Sequence, residues 1–318
     1  MKKIAVAANK DCRLYGDICN YLLEQKIDLF QPECSSNNRA EYIAQAAALV
    51  SEGKVDGAIV ISSTGLDAAI IGNKFPDVRS SLVSTKTTAM YTREHNDSNL
   101  LCIGDEIIGP LKVMDIIGEW LTHHFIGGRH AISVGMIGEI EKHSCCPNQK
   151  RMILPAVRPI RHISIGNDHA GYEAKLAVLE ILKNNKISYT DYGTDSTEIV
   201  RYPYYAARVD RDVLTGKADG GILICGTGIG INIAGNKYKG IRATLCNDKT
   251  TARIAREEFD ANVLCLGGKI IGLFEMTEIV EEWIYTRYTE HESDFFKVLA
   301  DTEAKNMCST DWVPENNV

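Results

Sequence analysis

The chain has 318 residues, 45% apolar and 24% charged. These are ordinary globular values that exclude a disordered chain and predict about two domains. Lys and Arg number 35 against 42 Asp and Glu, a net charge of −7 with a pI near 5.7, which argues against a general binder of nucleic acid or acidic membrane. No apolar run approaches the roughly 18–20 residues of a membrane helix. The first predicted element is a strand over Ile4–Ala8. Asn9, Lys10 and Asp11 interrupt it too soon for a signal-peptide core, so no export signal is expected. Ten cysteines are scattered at 12, 19, 34, 102, 145, 146, 225, 246, 265 and 308 without a CxxC pair. That disfavours zinc and thioredoxin chemistry and fits a reduced, cytoplasmic protein.

Further along, the chain repeats itself. Residues 55–109 align with 218–272 at a constant offset of 163 without a gap, about half the positions being identical. Shared residues include Thr64/Thr227, Asn73/Asn236, Lys74/Lys237, Arg79/Arg242 and Asn99/Asn262. A period near 160 residues means duplicated domains and not a solenoid. The predicted copies are 1–141 and 161–305. Between them, 142–160 holds Pro147, Pro155 and Pro159 and reads as a linker in which Met152–Leu154 could pack. The tail, 306–318, is polar and expected to be peripheral.

In the second copy HISIG, ISYTDYG, GGILICG, IRATLC and NVLCLGG are predicted strands, short β-rich runs bounded by Gly, Asn or Asp. Helical patterns run between them, over 170–186, 204–217, 249–259 and 273–288. The alternation implies an α/β fold with a mostly parallel sheet, whose sites lie beyond the C-terminal strand ends.

Two such ends carry chemistry. GGILICGTGIG runs a strand through Cys225 into Gly226, Thr227, Gly228 and Gly230 and then a helix. Glycines there let the backbone approach an anionic ligand. The spacing is neither GxGxxG nor a P-loop, although Asp248, about twenty residues on, keeps a dinucleotide site open. Cys225 is either a buried strand cysteine or a thiol whose pKa the helix N-terminus lowers. Thr227 is a helix cap or an oxyanion donor. At the end of HISIG, Asp168 and His169 are an N-cap beside a surface histidine or an oriented acid–base pair.

GNDHAG, ICGTGIG with NK and GIRA following, and DANVLCLGG resemble ribose-5-phosphate isomerase B and its relative galactose-6-phosphate isomerase. The resemblance covers nearly all of the second copy and, more weakly, the first. It implies two Rossmann-like α/β domains, each a mostly parallel sheet flanked by helices, arranged as an intrachain pseudo-dimer. It also implies metal-independent chemistry without a cofactor, and sites shared between partners. Mapped onto this sequence, Cys225 is the base between C1 and C2, and Gly226, Thr227, Gly228 and Gly230 hold the enediolate. Asp168 helps ring opening, His169 binds phosphate, and Tyr202 lines the pocket. A partner would supply a His-Asn pair and the arginine of GGRH.

The copies differ in a complementary way. The second has Glu258-Phe259 in place of His-Asn, and TEHESDFF after Tyr288 lacks GGRH. The first has Ser62 for the cysteine, Asp67 for a loop glycine, Asn9-Lys10 for Asp-His and Ala40 where the tyrosine is expected, yet keeps His95-Asn96 and Gly127-Gly128-Arg129-His130. One composite site is thus complete: Cys225, Thr227, Asp168, His169 and Tyr202 with His95, Asn96 and Arg129. Random decay would not selectively spare His95 and Arg129. The division resembles a fusion of the two subunits of galactose-6-phosphate isomerase, whereas Asp168-His169-Ala170-Gly171 and Tyr202-Pro203 resemble the ribose enzyme at least as much. Two arginines that usually face phosphate are Glu106 and Ser133 here. His130, Lys237 and Arg242 are candidates to compensate, with loop salt bridges or solvated positions as their plainer roles.

The expected activity is aldose–ketose isomerisation of a sugar phosphate, ribose 5-phosphate/ribulose 5-phosphate first and galactose 6-phosphate/tagatose 6-phosphate as the alternative. A non-catalytic sugar-phosphate sensor is the alternative of another class. The small sugar phosphate is the expected partner, with neither nucleic acid nor membrane, and a homodimer of intrachain pairs is a further expectation.

Overall fold

The computed structural model describes residues 1–9, 11–30, 32, 38–144, 159–289, 294–310 and 312–316. The first half runs β1 (Lys3–Ala7), α1 (Arg13–Glu24), β2 (Asp28–Phe30), α2 (Arg39–Ser51), β3 (Gly57–Ser62), α3 (Leu66–Gly72), β4 (Ser80–Leu82), α4 (Lys86–Asn96), β5 (Leu100–Gly104), α5 (Pro110–Thr122) and α6 (Arg129–Ser144). The second runs β6 (His162–Asn167), a 3-10 turn (His169–Gly171), α7 (Tyr172–Asn184), β7 (Ser188–Asp191), α8 (Tyr202–Leu214), β8 (Gly220–Cys225), α9 (Ile229–Gly235), β9 (Ala243–Leu245), α10 (Lys249–Glu257), β10 (Val263–Gly267), α11 (Leu273–Tyr285) and α12 (Asp294–Asn306).

Each half builds a five-stranded, wholly parallel sheet, in the orders β2-β1-β3-β5-β4 and β7-β6-β8-β10-β9. The central strands GAIVIS and GGILIC are buried at every residue, as expected when helices cover both faces. The expected two α/β domains with parallel sheets are therefore present. Among the described residues no helix is long and apolar enough to cross a membrane. The seven described cysteines are free thiols.

Predicted ends shift by a few residues for local reasons. The helix expected over 204–217 begins at Tyr202, because Pro203 fits the first turn of a helix, and ends before Gly216, whose φ is +72°. The most repeated residues are latches of the fold. Asn236 Nδ2 donates to Ala243 O (2.8 Å) and its Oδ1 accepts Ala243 N–H (3.0 Å), and Asn73 does the same at Ser80. Arg242 pairs with Asp260 (2.7 Å) as Arg79 pairs with Asp97 (2.7 Å).

Two compact units divide the chain: Met1–Val134 with Ser293–Asn306, and Gly135–Glu292 with Met307–Val318. The terminal helices therefore do not follow the sequence copies. In the first unit α12 packs on α2 and α3. In the second, Ile137 and Ile140 of α6 join the core with Leu223, Ile231 and Ile233. A buried ion pair fastens each: Lys74 Nζ to Glu303 Oε1 (3.1 Å) in the first unit, Lys237 Nζ to Glu141 Oε1 (2.6 Å) in the second. Both lysines are 1% exposed, so neither serves a ligand.

The tail corrects an expectation. Met307 and Cys308 are buried, Trp312 stacks on His143 (4.2 Å), Tyr238 Oη donates to Trp312 O (3.0 Å) and Arg208 donates to Pro314 O (3.2 Å). One tryptophan and a short apolar run seat it on the second unit. Of the predicted linker, 145–158, including Met152–Leu154, lies outside the described residues.

Candidate active site

The second unit gathers Cys225, Gly226, Thr227, Gly228, Asp168, His169 and Tyr202 at the C-terminal ends of β6 and β8 and at the start of α8. Gly228 must be glycine: its φ is +76°, and a Cβ would stand 2.5 Å from Leu245 Cδ1 and 2.9 Å from Leu266 C. That turn aims the Gly228 N–H at Cys225 Sγ (3.2 Å). Thr227 Oγ1 accepts the Ile229 N–H (3.3 Å), which leaves its own proton to donate. Gly230 lies inside α9 and is buried, so it belongs to the helix and not to the loop as predicted.

At Cys225 the structure favours the buried cysteine over the thiol of lowered pKa. Burial, then the charge of Asp168, push the thiol up to about 12 against the pull of the Ile231, Gly228 and Thr227 N–H groups. The seven-residue α9 is too small a dipole to overcome complete desolvation of the sulfur. Asp168 takes the N-cap position considered for it. Its Oδ1 accepts from Ala170 N–H (3.0 Å) and Gly171 N–H (3.2 Å), an N-cap. It is also buried, which raises its carboxyl to about 7 despite those donors.

His169 is half-buried, and its Nδ1 accepts the Val200 N–H (3.3 Å). In the neutral ring the proton therefore sits on Nε2. Tyr202 opens α8, half-buried against the core of this unit.

The first unit holds the other group. His95, near the C-terminus of α4, stacks between Tyr91 (5.0 Å) and His130 (4.0 Å, 2° between planes). Arg129 Nε donates to His130 Nε2 (3.3 Å). Burial lowers the His95 pKa; Glu94 opposes this and Arg129 adds to it, so the ring is neutral near pH 7. Asn96 ends α4, buried, and Arg129 opens α6, exposed. His130 thus stacks into this group, a contact that the sequence does not show. His123 was not foreseen: it bridges Glu94 (2.9 Å) and Glu119 (3.0 Å) and, with the Ile126 N–H on Glu94 O (3.1 Å), fixes the path into Gly127-Gly128-Arg129.

Where the first unit repeats the cysteine turn, polar side chains occupy it. Ser62 Oγ donates to Asp67 Oδ1 (2.6 Å), and Arg39 Nε pairs with Asp67 Oδ2 (2.6 Å). Asp67 stands at the place of Gly230. Because α2 begins at Arg39 as α8 begins at Tyr202, Arg39 and not Ala40 replaces the tyrosine. Lys10 lies outside the described residues. Of the departures, Glu106 is exposed and Ser133 is buried in α6, so neither supplies a cation.

Residues 4–137 and 163–297 each match the family described as Ribose/Galactose Isomerase. The chain is similar to ribose-5-phosphate isomerase B of Escherichia coli, at 41% identity over 149 residues, covering all of that protein and 46% of this chain. It is 39% identical over 148 residues to a putative sugar phosphate isomerase of Bacillus subtilis, covering 99% of that protein and 46% of this chain. Over 126 residues it is 39% identical to galactose-6-phosphate isomerase subunit LacB of Clostridium acetobutylicum, covering 73% of that protein and 40% of this chain.

Proposed function

The chain belongs to the Ribose/Galactose Isomerase family and is an isomerase, an intramolecular oxidoreductase; from that premise we propose that it interconverts ribose 5-phosphate and ribulose 5-phosphate at one composite site per chain. One observation carries this reading. The turn holding Cys225 keeps glycine at 230 and tyrosine at 202, whereas its repeat is filled by the Ser62–Asp67–Arg39 network. Only the first copy keeps His95, Asn96 and Arg129 to complete the surviving turn.

Isomerisation moves one proton between adjacent carbons. Cys225 Sγ, as thiolate, takes the C2 proton of the open-chain aldose. The C–H electrons form the C1–C2 double bond and O1 becomes an oxyanion. The Thr227 hydroxyl donates to that charge. The thiol returns its proton to C1 as the O2 hydroxyl proton passes to O1, so that C2 becomes the carbonyl and C1 carries the hydroxyl of the ketose. Asp168 raises the Cys225 pKa, so protonating Asp168, which titrates near 7, removes the second cause of that rise and leaves burial as the first. His95, neutral, and Asp168 move the ring-opening protons, while His169 and Arg129 hold the phosphate.

A galactose 6-phosphate substrate is the second reading, favoured by the division of labour between copies and the likeness to subunit LacB. Turnover of both sugars in the presence of a chelator tests the proposal. Ribose 5-phosphate is expected to be the better substrate, with activity undiminished by the chelator. Preference for galactose 6-phosphate would reassign the sugar, and binding without turnover of either would turn the reading to a sensor.

A further inference from the structure

Lys175 is an anomaly of the second unit. It lies on the inward face of α7 with Ala174, Val178, Ile181 and Leu182, and its side chain is 1% exposed. An apolar residue would fill that place at less desolvation cost. The ammonium instead bridges two carboxylates, Asp191 Oδ2 (2.9 Å) at the end of β7 and Asp195 Oδ1 (2.8 Å) four residues later. Burial lowers its pKa, but the two carboxylates outweigh that, so it stays charged.

The bridged segment leads to the site. Asp191 Oδ1 accepts the Gly193 N–H (2.8 Å), Thr194 N–H donates to Asn167 O (3.3 Å) and Asn167 Nδ2 donates to Thr194 O (3.3 Å). From there the chain runs to Val200, whose N–H meets His169 Nδ1, and to Tyr202. The first copy is an internal control. Matching β1 to β6 and α1 to α7 puts Gly16 in the place of Lys175, and the segment 31–37, QPECSSN, holds no aspartate. In sequence, the copy that has Asn9-Lys10 for Asp-His also lacks the residues of the brace.

We propose that Lys175 is a positioning residue for His169: by tying Asp191 to Asp195 it holds the loop that presents the Val200 N–H to Nδ1, so that the imidazole offers Nε2–H to the sugar phosphate. The proposal rests on the assignment of His169 to the substrate site. The Val200 N–H makes Nδ1 an obligatory acceptor. Without it both tautomers become populated, and the wrong one presents a lone pair to a phosphate oxygen. The effect on the substrate is therefore greater than the loss of a surface ion pair would be.

The test compares wild type, Lys175→Met and Asp195→Asn, each alone and with His169→Asn. Asp195→Asn alters only an exposed partner and serves if Lys175→Met does not fold. Ring ¹⁵N shifts of His169 and the KM and kcat for ribose 5-phosphate are measured. The Nε2–H tautomer is expected in wild type and a mixture in the variants. The expected rise in KM is about 10- to 100-fold for Lys175→Met, smaller for Asp195→Asn, and absent when His169 is already Asn. An unchanged tautomer, or an equal loss with and without His169, would overturn the proposal and leave the brace as a fold element. If wild type turns over no sugar, the function proposed above fails, while the tautomer measurement still decides the role of Lys175.

Discussion

The β3–α3 and β8–α9 turns share one backbone and carry opposite chemistry. Gly65 and Gly228 both have φ of +76°, and each turn aims a backbone N–H at the side chain three residues earlier, Ser62 Oγ at 3.0 Å and Cys225 Sγ at 3.2 Å. The backbone geometry of the turn is therefore the same whether serine or cysteine occupies it. What separates the turns is volume and charge above the backbone. Asp67 and Arg39 form an ion pair in the first unit where the second has Gly230 and Tyr202. A preserved turn is not by itself a site; the side chains around it decide.

The strongest challenge to this contrast is Cys225→Ser, which gives the second turn the nucleus of the first. Loss of the proposed base is expected to lower kcat by about 10²- to 10⁴-fold with little change in thermal stability, read from initial rates and a melting curve. Next are the buried pairs that both units share. Lys237→Met leaves Glu141 buried without its cation and is expected to destabilise the protein by about 3–5 kcal/mol in denaturant titration. Lys74→Met is expected to cost about as much, because Glu303, 11% exposed against 14% for Glu141, is no easier to rehydrate.

Asp168 has a pH signature that its counterpart Asn9 lacks. Its folded pKa, near 7, lies above the unfolded value near 3.8, so its protonated form favours folding. That contribution is fully present below pH 4 and is lost as pH rises through 7. Asp168→Asn should match wild type in stability below pH 4 and exceed it by roughly 4 kcal/mol at pH 8. Equal melting curves at both pH values would contradict the raised carboxyl. The smallest effect is expected from Asp67→Gly, which opens the first turn yet leaves turnover within about twofold of wild type.

Much of this was legible in the sequence. The repeat at offset 163 and the alternation of strands and helices foretold both sheets, because parallel strands buried on both faces write continuous apolar runs. Cys225, Asp168 and His169 stand out because strand ends followed by Gly or by Asp-His are punctuation visible without coordinates. The partners that act at a distance were not legible. Nothing near Lys237 points to Glu141, nor Lys175 to Asp191 and Asp195, since such pairs depend on packing. The choice between a buried and an acidified Cys225 stayed open in the sequence, because the glycine turn advertises a helix N-terminus whereas burial is a property of the folded unit. The stacking of His130 on His95 hides likewise, the two being 35 residues apart.

Steady-state turnover of ribose 5-phosphate by Cys225→Ala, His95→Ala and Ser62→Ala, measured side by side, decides whether one site is assembled from both copies. Cys225→Ala and His95→Ala should each lose about 10²-fold or more in kcat/KM, and Ser62→Ala should equal wild type. An untouched His95→Ala would make the first copy a scaffold, and a damaged Ser62→Ala would place chemistry in the turn that its own side chains fill.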